Sequence, residues 1–176
     1  MTPVLALDLA TSTGWALRDT SGQVNSGVQT FDLRRGESAG MRFLRFRAWL
    51  REIMALAYSR DLGRAAREKG VVAFEQAHHR GGHATSLAVG LVTVVLEEAA
   101  AQGWETTSVH TATLKKHATG KGNASKGEMI GAAVRRWHSV RPFRLQFTTT
   151  SECCDEDEAD ALCVLAWALE QIGEAQ

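Results

Sequence analysis

The 176-residue chain reads as an α/β domain, a five-stranded mixed sheet flanked by helices on both faces, and three observations predict it. Short apolar runs, VLALDL and VVAFEQ, are bounded by turn or polar residues, as buried strands require. Other segments, such as MRFLRFRAWLREIMALAYSR, space their apolar residues by threes and fours, the period of a helix with one buried face. From residue 40 onward the two kinds of segment alternate, which is how a sheet acquires covering helices.

The first strand spans Pro3 to Leu9 and stops at the turn-rich TSTG. GWALRDT and, after the SGQ turn, VNSGVQTFDL follow as two further strands of a meander. The helix from Gly40 to about Arg60 places Phe43, Phe46, Leu50, Ile53, Met54 and Ala57 on one stripe and most of its arginines opposite, giving it a basic outer face. VVAFEQ is the fourth strand and carries Glu75 at its polar end. ATSLAVGLVTVVLEEAAAQG is a helix closed by Gly103, and ETTSVH is the fifth strand. TATLKK forms a short helix, ATGKGNA a loop, Ser125 to about His138 a helix, and Glu156 to about Ile172 the final helix, after a basic loop. No repeat or low-complexity linker interrupts the chain, and its length suits a single domain over residues 1–176.

Twenty basic residues balance twenty acidic ones, so nucleic-acid binding has to rest on local clusters and not on a global field. Two clusters exist: Arg42, Arg45, Arg47 and Arg51; and Lys115, Lys116, Lys121, Lys126, Arg135, Arg136, Arg141 and Arg144. Three cysteines, two of them adjacent at Cys153 and Cys154, form neither a disulfide framework nor a CxxC zinc pair, which points to a reducing compartment. The amino terminus shows no signal-peptide pattern and no run approaches a membrane span, so a soluble cytoplasmic protein without a membrane partner is expected. His78, His79 and His83 read as an exposed histidine loop rather than a transition-metal site, since no cysteine lies nearby.

The chemistry lies in four carboxylates. Asp8 and Glu75 end apolar strands, while Asp157 and Asp160, three apart at the start of the last helix, share one face of it. Taken singly, Asp8 is a turn or cap residue, Glu75 a surface ion-pair partner, and the acidic run a helix start favoured by the dipole. Parallel strands bring Asp8 and Glu75 level, and a helix packed through Leu162, Val164, Leu165 and Leu169 aims Asp157 and Asp160 at them. So gathered, four carboxylates repel one another unless cations intervene, and an all-oxygen set suits magnesium, with manganese substituting. Two such ions about 4 Å apart are suited to phosphodiester hydrolysis.

These residues resemble the RuvC branch of the RNase H-like nucleases over most of the chain. LALDLATSTGWAL resembles that family's first strand and turn, VVAFEQ its second acidic strand, LKKHATGKGNASK its basic segment, and DEADALCVLAWAL its closing helix. The resemblance implies an RNase H-like fold, metal ligation by Asp8, Glu75, Asp157 and Asp160, and functional roles for Lys115 and Lys126 on DNA phosphate, with Lys126 counted among the catalytic residues. It implies a magnesium-dependent endonuclease, a homodimer that cuts four-way DNA junctions and leaves 5′-phosphate ends. Lys116, Lys121, His79 and Arg80 join Lys115 and Lys126 as expected DNA contacts. The helix carrying Leu87, Val89, Leu91, Val92, Val94, Val95 and Leu96 is either a subunit contact or a core helix. One departure stands out. Where the better-known resolvases carry an apolar or aromatic wedge, this chain reads AHHRGGHATS, which leaves room for cutting branched DNA more broadly, as phage-borne relatives do.

Three other classes compete. DLATSTGWAL also resembles the phosphate-binding hairpin of sugar kinases and actin-like ATPases, but those need a second comparable domain to enclose ATP. A binding module that has lost catalysis predicts a missing carboxylate, and none is missing. Ribonuclease H, acting on RNA–DNA hybrids, shares a similar carboxylate set; the DxxD spacing and the LKKHATGKGNASK segment favour the junction nucleases.

Overall fold

The computed structural model describes residues 1–58, 69–76, 83–137 and 155–174. Five strands, β1 (Val4–Asp8), β2 (Ser12–Arg18), β3 (Val24–Thr30), β4 (Val71–Glu75) and β5 (Glu105–Val109), form one sheet in the order β3-β2-β1-β4-β5. The meander β1-β2-β3 is antiparallel, whereas β1, β4 and β5 run parallel, so the sheet is mixed as expected. The helices are α1 (Gly40–Leu56), α2 (His83–Gln102), α3 (Thr111–Thr119), α4 (Lys126–Trp137) and α5 (Glu156–Gln171).

Strand alternation divides the interior into two layers. Leu5 and Leu7 of β1 and Val72 and Phe74 of β4 pack with Phe46, Leu50, Ile53 and Met54 of α1 and with Leu91, Val94 and Val95 of α2. Val4, Ala6, Val71 and Ala73 point the other way, against Ala161, Leu162, Leu165 and Leu169 of α5, with α3 and α4 beyond. By the same alternation Asp8 and Glu75, the last residues of β1 and β4, continue the row that faces α5.

Gly103 ends α2 with φ +73°, and Trp104 N–H donates to the Ala99 carbonyl at 2.8 Å, the left-handed cap its position predicts. Two boundaries move. Part of the TSTG turn is strand, because the Thr13 hydroxyl bonds the Ala10 carbonyl at 2.9 Å and closes the hairpin within three residues. α3 takes in Ala118 and Thr119 before Gly120 stops it.

Two expectations need correction. The arginines of α1 do not form a free basic face: Arg42 donates to the Phe31 carbonyl at 2.7 Å, Arg45 pairs with Glu37, Arg47 with Glu97 and Glu98, and Arg51 with Glu98 at 2.6 Å. Glu37, just ahead of the helix, and Glu97 and Glu98 of α2, distant in sequence, pair with three of them, and a backbone carbonyl takes the fourth. Thr85–Gln102 within α2 is long and apolar enough by composition to cross a membrane, contrary to the sequence reading. Here Leu91, Val94, Val95 and Ala99 of that window are buried in the second core, and its Glu98 is 3% exposed beneath Arg47 and Arg51.

Candidate active site

Register determines how the first two carboxylates meet. Val4 pairs with Val71 and Leu7 with Phe74 on the parallel β1–β4 ladder, so one step further Asp8 comes level with Glu75. Both therefore stand at the carboxyl end of adjacent central strands, the edge where α/β folds place ligands.

The other two depend on where α5 lies. Its first turn crosses β2 at Gly14, the residue paired with Asp8, and a Cβ there would fall deep inside the carbonyl of Asp157. Glycine is thus required for backbone to approach backbone. The Ser26 hydroxyl on β3 donates to Glu158 Oε1 at 2.7 Å, and the Asp155 side chain caps the helix by accepting from the Asp157 N–H at 3.1 Å. Beyond the helix's far end, buried Arg18 donates to the Thr2 carbonyl at 2.6 Å and pairs with Glu174. Pinned near both ends, α5 presents Asp157 and Asp160 toward Asp8 and Glu75.

The three aspartates all have raised pKa values, and Asp8 feels the charge of each of the other three carboxylates. Asp8 is pushed up to about 8 from its ordinary value, first by burial and then by the charges of Asp160, Glu75, Asp157 and Glu156. Asp160 rises to about 6, chiefly by burial and then by Glu75 and Glu156, with Lys115 pulling the other way. Burial, then Asp155 and Glu156, raise Asp157, and Lys126 opposes them. Among the described residues no hydrogen bond reaches the carboxylates of Asp8, Asp157 or Asp160, whereas Glu75 accepts one from the Thr111 hydroxyl. As the side chains stand, no three Asp, Glu, His or Cys among the described residues are gathered tightly enough to hold a metal ion.

Two of the expected lysines border the cluster. Lys115 on α3 is half-buried and anchors its ammonium on the Ala124 carbonyl at 2.8 Å. Lys126 opens α4 and pairs with Glu156 at the start of α5. Ser125 precedes it as the helix cap, its N–H donating to Glu128 Oε2 at 2.8 Å while its hydroxyl accepts from the Glu128 N–H at 3.4 Å, a reciprocal capping box. Lys121 is turned to that box, 3.0 Å from Glu128, and Lys116 is exposed on α3. Arg136 pairs with Glu170 at 3.4 Å, away from the carboxylates. His79, Arg80, His78, Arg141, Arg144, Cys153 and Cys154 lie outside the described residues.

No protein-family model matches this sequence, and no curated protein does. Solved structures do. Thermus thermophilus RuvC superposes over 99% of both chains with a TM-score of 0.63 at 18% identity. The fold is that of RuvC. The T. thermophilus RuvC structure in complex with a Holliday junction substrate covers 100% of this chain and 99% of its own, with a TM-score of 0.65 at 17% identity. A yeast mitochondrial Holliday junction resolvase, Ydc2, matches 93% of this chain and 75% of its own with a TM-score of 0.53 at 13% identity. Within this RuvC-like fold the site has three participants that sequence reasoning missed: Gly14, Glu156 and Thr111. Gly14 looked like a turn glycine, Glu156 was one acid in a run of several, and nothing in HTATLKK ties its first threonine to a strand 36 residues earlier.

Proposed function

We propose that this protein is a metal-dependent endonuclease that cuts branched DNA, four-way junctions foremost. One observation carries the reading: Asp8 and Glu75 end the adjacent strands β1 and β4 under the start of α5, which carries Asp157 and Asp160, and the half-buried Asp8 carboxyl is raised by burial and by those three carboxylates. The donors are all carboxylate oxygens, which suits a hard divalent ion, and burial of like charges is the cost that such an ion offsets. The four would hold two magnesium ions, or manganese in their place, and the pair supplies activation of water and stabilisation of the departing 3′ oxygen.

The chain's own contribution is position and charge. Lys115, fixed by the Ala124 carbonyl, offers a cation beside Asp160 where the scissile phosphate has to sit. Lys126 can exchange its partner Glu156 for a phosphate oxygen, and Lys116 and Lys121 extend the positive flank along the DNA backbone. Asp8 and Asp160 receive no hydrogen bond among the described residues, so their oxygens remain available for ligation. Water attack on phosphorus leaves 5′-phosphate ends.

Val89 and Leu96 on α2 and Leu44 on α1 are exposed, and a homodimer joined through this face would present two sites to a two-fold junction.

The test is cleavage, by the purified protein, of a labelled immobile four-way junction beside a Y-fork, a linear duplex and an RNA–DNA hybrid, with magnesium and with chelator. Paired nicks in the junction support the proposal, and comparable cutting of the fork broadens it. Cutting of the hybrid alone replaces it with ribonuclease H, and metal-independence of every outcome ends it.

A further inference from the structure

Glu75 has more torsional freedom than the three aspartates it meets, and alone among the four it is tethered by a neighbour within the described residues. The tether is the hydroxyl of Thr111, which donates to Oε1. Thr111 opens α3 directly after β5, and β5 is fixed to β4 by the pairing of Glu75 with Val109 and by the Gln76 N–H on the Val109 carbonyl at 2.8 Å. Donor and acceptor therefore stand on backbone that cannot drift apart.

We propose that Thr111 is a positioning residue for Glu75, setting the carboxylate so that its second oxygen faces the site and is left for a metal ion. The inference rests on the nuclease reading above. A neutral donor suits the task, because it orders the carboxylate without cancelling the charge a cation needs; a lysine in the same place would compete with the ion. A hydrogen bond to a ligating group is the usual means of fixing its geometry.

Thr111→Val keeps the shape and removes the donor, while Thr111→Ser keeps the donor. Manganese binding to the full chain, without DNA, is measured by titration calorimetry, alongside junction cleavage as a function of magnesium. Thr111→Val is expected to bind manganese about ten- to a hundredfold more weakly and to need correspondingly more magnesium, with Thr111→Ser within about threefold of the parent. Junction affinity and melting temperature in chelator stay at parental values, which a merely structural role would not allow. Equal manganese affinity in Thr111→Val, or a Thr111→Ser variant as defective as Thr111→Val, overturns the assignment. A parent chain that binds no manganese overturns it together with the nuclease reading, so the two failures are distinguishable.

Discussion

Replacing Asp8 by Asn should stabilise the metal-free protein while abolishing its chemistry. In the fold this carboxyl holds its proton to about pH 8, whereas in an unfolded chain it ionises near its ordinary 3.8. Between those values the unfolded state binds fewer protons than the native one, so stability is fully present below about pH 4 and falls as pH rises toward 8. Each pH unit in that window costs about 1.4 kcal/mol, which puts the ceiling near 4 kcal/mol at pH 7. Asp160 and Glu75 share the repulsion and side chains relax, so a gain of about 1–3 kcal/mol for Asp8→Asn is expected. Urea unfolding followed by tryptophan fluorescence measures it, in chelator at pH 4 and pH 7.5. The variants should coincide at the lower pH and separate at the higher, and saturating magnesium should shift the balance back toward the parent, which alone has the full ligand set. An Asp8→Asn protein that is no more stable at pH 7.5 in chelator, or whose gain is the same at both pH values, refutes the claim that an uncompensated carboxylate sits there.

Gly14→Ala should cost about 1–3 kcal/mol and cripple cutting as well, because the new methyl group displaces the start of α5; a melting curve together with junction cleavage checks both. Glu98→Ala should destabilise by about 1–2 kcal/mol, less than a fully buried pair would lose because Arg51 remains hydrated. Its activity per folded molecule should be parental, since the cluster lies on the sheet face opposite the carboxylates. Lys126→Gln should reduce the slope of log affinity against log salt by about 0.9, measured by fluorescence anisotropy on a junction in chelator, and an unchanged slope would remove Lys126 from the phosphate contacts.

Much of this was legible because strands and helices report their buried faces in the sequence. The alternation that puts Ala6 and Ala73 under α5 also puts Asp8 and Glu75 there, and the DxxD spacing places both aspartates on one side of a helix. The basic stripe of α1 misled for a physical reason. A charged residue's spacing states which way it points, but not whether Glu37 in the preceding loop, or Glu97 or Glu98 across the helix interface, is waiting to neutralise it. Gly14 was equally opaque. Its need for empty space arises only once α5, from the far end of the chain, is laid across β2. Thr111 and Glu156 matter through contacts to Glu75 and Lys126 made across the fold, which no periodicity encodes.

The position of α5 has a consequence for biosynthesis. A ribosome delivers β1 before every other strand and helix described and α5 after them, yet half of the carboxylate set belongs to α5, together with the Ala161, Leu162, Leu165 and Leu169 that pack on one sheet face. A chain still lacking that helix holds Asp8 and Glu75 alone, on a sheet whose row of Val4, Ala6, Val71 and Ala73 lies bare. Such a fragment has half of the proposed metal ligands and an uncovered apolar face, so the full carboxylate set and a closed core arrive together, with the turns of α5.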